Sequence, residues 1–150
     1  MSNQANTLKV LRALIQVLHD GHQGMASIAA QIQHEPAKRF LLEQSQLRAE
    51  YAAELENELH RLGVHDVKEG GTAIGTAQRI WGDFKAKLGA GDASLLETVA
   101  QQEEDASRSY TDAIDKNMLP GDVRDLLRQQ SAQILSSLDT LRDLRAGNAG

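Results

Sequence analysis

Apolar residues at heptad spacing in four stretches, few aromatic residues, and prolines at stretch boundaries predict an all-α protein, an antiparallel four-helix bundle. Only five residues are aromatic: Phe40, Tyr51, Trp81, Phe84 and Tyr110. Strands draw on aromatic and β-branched residues, whereas the Ala, Leu, Gln and Glu abundant here favour helices. At 150 residues the chain fits one domain, 1–150, with a core of its own.

The first helix is expected over 7–34. Leu11, Leu14, Leu18, Gly21, Met25, Ile28 and Ile32 recur there at spacings of three and four, the stripe of a packed helix. Val10, Ile15 and Val17 widen that face. Pro36 suits a first turn and clashes inside a helix, so a second helix is expected over 36–62. Its inward residues read as Phe40, Leu47, Tyr51, Leu55, Leu59 and Leu62, with Gly63 as C-cap. The short link between the two makes them antiparallel neighbours.

A loop with Gly70-Gly71 leads to a shorter crossover helix over 73–88, with Ala77, Ile80, Trp81, Phe84 and Leu88 on one face. Asp92 reads as the N-cap of a third long helix, 93–117, with Leu96, Val99, Ala106, Tyr110 and Ala113 inward. Leu119-Pro120-Gly121 breaks it. The fourth helix, 122–145, turns Val123, Leu127, Ile134, Leu138 and Leu141 inward, and Gly147 to Gly150 reads as a frayed tail. Shifting the chain by 85 residues lays the first helix pair on the last without a gap, Leu11 on Leu96 and Leu42 on Leu127. A true duplication would give two helix hairpins related by a pseudo-two-fold and joined by a long crossover.

Bulk properties exclude several functions. A net charge of −5 with no basic stripe is a poor match for nucleic acid. The absence of cysteine removes disulfides, thiolate catalysis, iron–sulfur clusters and Cys-based zinc sites. No apolar run approaches the roughly 18 residues of a membrane span, and Met1 to Asn6 carry no secretion pattern. The expected location is cytoplasmic. A cysteine-free chain would also suit the periplasm after removal of a signal.

Two hairpins with a long connection between the second and third helices form the ferritin-like topology. The chain also resembles a bacterial domain-of-unknown-function family of ferritin-like four-helix-bundle proteins over nearly its whole length. The resemblance rests on Asp20-Gly21 with Gly24, Leu62-Gly63, Gly75 through Trp81, Phe84, Lys85 and Leu88, and Glu103-Glu104-Asp105-Ala106 followed by Tyr110. It implies a fold and little chemistry.

Ferritin-like oxidases take a carboxylate from each of two helices and a Glu-x-x-His pair from each of the others. Oxygen and nitrogen donors hold iron while leaving positions open for dioxygen. Glu-x-x-His occurs nowhere in this chain. The inward mid-bundle positions read as Leu18, Gln44, Leu47, Glu103, Gln130 and Gln133, of which only Glu103 is anionic. The expectation is a buried polar layer of Gln44, Glu103 and Gln130, hydrogen-bonded together, with no cofactor.

His19 and His22 lie three apart on one helix face, where a weak zinc or nickel site competes with the simpler reading of two solvated histidines. His34, His60 and His65 sit near helix ends, where cationic side chains suit the dipole. Glu43, Glu50, Glu54 and Glu58 form a solvated ladder. No strand-to-helix serine turn or Gly-Lys-Ser/Thr loop supports hydrolase or phosphate-loop chemistry.

Three functions follow in order. The first is a non-enzymatic structural or interaction module that has lost a di-iron site, with an apolar face suited to a homodimer. The second is a metal-binding or iron-handling protein with a non-standard site at Glu103, helped by Asp20, Glu43 or a histidine and taking iron or another divalent metal. The third is a binder of a small apolar ligand between Met25, Tyr51 and Tyr110.

Overall fold

The computed structural model describes residues 2–65 and 91–149. They form an all-α four-helix bundle: α1 (Ser2–Ala29), α2 (Glu35–Arg61), α3 (Asp92–Asp115) and α4 (Gly121–Ala149). The expected crossover helix, with Trp81 and Phe84, and the Gly70-Gly71 loop lie outside the described residues. Among the described residues no helix is long and apolar enough to cross a membrane.

The helix ends differ from expectation in local ways. α1 begins earlier and stops at Ala29, where the N–H groups of Gln31 and Ile32 donate three residues back, to Ile28 and Ala29. That tightening is of 3₁₀ type and closes the helix. α2 takes Pro36 in its first turn, as the missing N–H requires. Gly63 follows the Leu62 cap with φ +96°, and the N–H groups of Gly63 and Val64 return to the carbonyls of His60 and Leu59. This paired closure satisfies carbonyls that the helix end would leave open, and its left-handed backbone favours glycine. α4 continues to Ala149, so 147–149 of the expected tail are helical, and Gly150 lies outside the described residues.

Asp92 does not cap its own helix. Gly91 holds that position without a side-chain bond. The Asp92 carboxylate instead accepts the N–H groups of Gln33 and His34, at 2.9 and 2.8 Å, and ties the start of α3 to the α1–α2 turn. At the other end of the bundle, Gln4 donates to the Leu62 carbonyl at 3.3 Å and Asn6 to Asn117 at 2.5 Å. α2 therefore finishes at one end of the bundle and α3 starts at the other.

α1 packs most closely on α2, and α3 on α4. α1–α3 and α2–α4 contacts close the ring, leaving α2 diagonal to α3. One core cluster centres on Leu11, Leu18, Leu55, Tyr110, Leu127 and Ile134, and another on Met25, Ile28, Leu41, Leu96 and Val99. The inward faces expected for α1, α3 and α4 are buried, Gly21 excepted, which is half-buried. On α2 the register is different. The buried line is Ala37, Leu41, Ser45, Arg48, Ala52, Leu55 and Leu59, while Phe40, Leu47, Tyr51 and Leu62 are only half-buried.

The two helix pairs repeat. An offset of 85 places α1 on α3 with Leu11 on Leu96, Leu14 on Val99 and Ile28 on Ala113, all buried. α2 and α4, counted from their first residues Glu35 and Gly121, correspond with one residue more. Leu41 then meets Leu127, Ala52 meets Leu138, and Leu55 meets Leu141, again all buried. The gapless shift that pairs Leu42 with Leu127 fails, because Leu42 is 48% exposed.

Asp92→Ala removes a carboxylate that accepts two backbone N–H groups. It is expected to lower stability by about 1–3 kcal/mol in urea denaturation, the scale of hydrogen bonds to a charged group. Gly63→Ala forces a Cβ into a left-handed backbone and is expected to cost about 1–2 kcal/mol in the same measurement.

Candidate functional site

The middle of the bundle is polar, and its centre is a residue the sequence reading passed over. Arg48 is 1% exposed, among the largest fully buried side chains. Its Nη2 donates to Glu103 Oε2 at 2.5 Å and to Ser137 Oγ at 3.1 Å. Ser137 Oγ in turn donates to Glu103 Oε2. The Arg48 stem lies beside Gly21, where an added Cβ would meet Arg48 Cγ at 3.6 Å. The guanidinium carbon lies 5.5 Å from the centre of the Tyr51 ring, within cation–π range. One side chain on α2 thus touches α1, α3 and α4, and its ion pair crosses the diagonal of the ring.

Burying two charges costs several kcal/mol per ion unless they are paired and hydrogen-bonded. Glu103, at 2% exposure, supplies the pairing. The compensation is partial, because Arg48 Nε and Nη1 find no partner among the described residues.

A second polar group lies beside the first. The Tyr110 hydroxyl donates to Gln130 Oε1 at 2.7 Å, and Gln130 Nε2 donates to Glu54 Oε1 at 3.0 Å and to the Tyr51 carbonyl at 3.3 Å. Burial pushes the Tyr110 phenol far above its ordinary range, outweighing the nearby Arg48 charge, so it stays a donor. The structure divides the expected layer of Gln44, Glu103 and Gln130. Glu103 and Gln130 are buried but belong to adjacent networks, Gln44 is half-buried, and Gln133 is exposed. Arg48 takes the interior position instead, one turn from Gln44. The missed signal was the spacing of Leu41, Ser45, Arg48, Ala52 and Leu55, a heptad line interrupted by one charge.

His19 and His22 engage α2 separately. His19 Nε2 lies 3.2 Å from Glu56 Oε1. His22 Nδ1 donates to the Ser45 carbonyl at 2.9 Å, and Ser45 Oγ donates back to the His22 carbonyl at 2.7 Å. Asp20 is 8% exposed and accepts from Gln16 Nε2 at 3.0 Å. Burial raises its pKa; the Gln16 bond and the nearby His19 oppose that rise. Glu43 is exposed on the outside of α2. Met25 and Tyr110 are fully buried and Tyr51 half-buried. Ile15 lies in the core, with Val10 and Val17 half-buried against it, so the exposed part of that α1 face is narrower than its sequence suggests.

These residues do not fit a di-iron centre. Such a site needs several anionic or imidazole donors converging with open coordination positions. Glu103 Oε2 is already bonded to a guanidinium, and Leu18 and Gln130 supply no anion in the same layer. Among the described residues no three His, Asp or Glu side chains gather within reach of one ion.

Fold and site together define a four-helix bundle whose mid-layer is closed by an internal ion pair. The chain belongs to the family described as "Domain of unknown function (DUF2383)", which matches residues 6–116. No curated protein matches it.

Glu103→Leu leaves Arg48 charged and unpaired in the core and is expected to destabilise the bundle by about 3–5 kcal/mol, read from the urea midpoint. Asp20→Asn keeps an acceptor for Gln16 but removes a charge that burial disfavours. Because the folded-state pKa of Asp20 is raised, its contribution is fully present below the unfolded value of 3.8 and lost as pH rises through the folded pKa. The variant is therefore expected to melt higher than the parent at pH 7, with the gap closing toward pH 4.

Proposed function

We infer that this protein is a non-enzymatic structural or interaction module of ferritin-like descent, with an ion pair in the layer where such bundles hold metal. The observation that carries this reading is the Arg48–Glu103 contact. Among the described residues Glu103, at 2% exposure, is the most deeply buried carboxylate, and it is engaged by a buried cation. The topology supports the descent: two closely packed helix pairs repeat, and α2 finishes at one end of the bundle while α3 starts at the other. A cytoplasmic location and self-association are parts of the same reading. A strictly monomeric mass in size-exclusion chromatography with light scattering would remove the second.

The metal-handling alternative is decided by elemental analysis. Protein made without a histidine tag, incubated with Fe(II) or Mn(II) and desalted, is expected to retain well below one metal ion per chain. Stoichiometric metal that disappears in Glu103→Ala would overturn the structural reading in favour of the alternative.

A further inference from the structure

The ion pair does more than fill the mid-layer, because the two helix pairs have nearly interchangeable inner faces. Under the internal repeat, Leu18 on α1 corresponds to Glu103 on α3, and Arg48 on α2 to Ile134 on α4. All four residues are buried. The pairing of Arg48 with Glu103 therefore has an apolar counterpart, Leu18 and Ile134, which share one core cluster.

Among the described residues each helix pair carries one charged residue at 2% exposure or less, Arg48 and Glu103, and the two are opposite in sign. Their sign decides what each face accepts. An α1–α2 pair facing a second α1–α2 pair would set Arg48 against Leu18. An α3–α4 pair facing its own kind would set Glu103 against Ile134. Both arrangements bury an unpaired charge, and only the unlike pairing satisfies it. Apolar matching alone discriminates little, since the other positions buried in both pairs are Leu, Val, Ile or Ala, except Met25 and its counterpart Tyr110.

We propose that Arg48 and Glu103 make the inner face of the α1–α2 pair a selective interaction surface for an α3–α4 pair, its own or that of a second copy of this chain, while rejecting like pairs. The cost is a buried ion pair with two guanidinium nitrogens that find no partner among the described residues. What it secures is one assembly out of several near-equivalent ones, the role of a polar residue placed against alternatives.

Full-length charge-reversal variants test this. Arg48→Glu carries two buried acids, and Glu103→Arg carries two buried bases. Each alone is expected to lose its cooperative thermal transition or melt far below the parent. Refolded together from denaturant with different affinity tags, they are expected to exchange helix pairs, co-purify one to one and regain a cooperative melt. In the exchanged dimer each charge again meets its opposite.

A second variant, Arg48→Leu with Glu103→Leu, should fold, and is expected to populate species of higher mass than the parent as like pairs associate. A refolded mixture that melts as the sum of its two components would overturn the proposal. So would a doubly apolar variant with the same single mass as the parent.

Discussion

The mid-bundle depends on one diagonal contact. α2 and α3 do not approach closely along their backbones, yet the Arg48 guanidinium spans the space between them to reach Glu103. Its stem passes beside Gly21 on α1, and a hydroxyl at Ser137 on α4 shares the carboxylate. Residues of three other helices meet at one arginine. An apolar replacement of similar volume would be simpler to bury. The charge therefore points to specification of the arrangement more than to its bare stability.

The second network extends the same logic. Tyr110, Gln130 and Glu54 satisfy one another beside the ion pair, and burial raises the Tyr110 phenol further above its ordinary range, which keeps it a donor. Around these groups the core is leucine, isoleucine, valine and alanine in two clusters. The ends of the bundle are fastened separately, by Asp92 at one end and by Asn6 with Asn117 at the other. α2 finishes at the second of these ends and α3 starts at the first.

Much of the fold was legible in the sequence, for a physical reason. Where a stripe is made of Leu, Ile, Val and Met, as on α1 apart from Gly21, or of Val123, Leu127, Ile134, Leu138 and Leu141 on α4, heptad spacing identifies the buried face. α2 offers two overlapping lines. One runs through Phe40, Leu47 and Tyr51 and is richer in large apolar side chains. The other runs through Leu41, Ser45, Arg48 and Ala52 and is the buried one. Hydrophobicity favours the first. The second prevails because Ala52 and Ser45 let the helices approach closely and Glu103 neutralises the charge.

The mid-layer shows where sequence information ends. Sequence by itself determined an all-α bundle, its four long helices, the burial of Glu103 and Gln130, and the lack of any Glu-x-x-His ligand pair. Each of these follows from spacing or composition, which are local properties of the chain. Only the tertiary structure decided that Arg48 lies inside, that Asp92 secures a turn far from it in sequence, and that Glu103 faces a cation rather than an amide. Those outcomes depend on which side chains meet across 55 or more residues, and a charge is stable in a core only when its partner is already there.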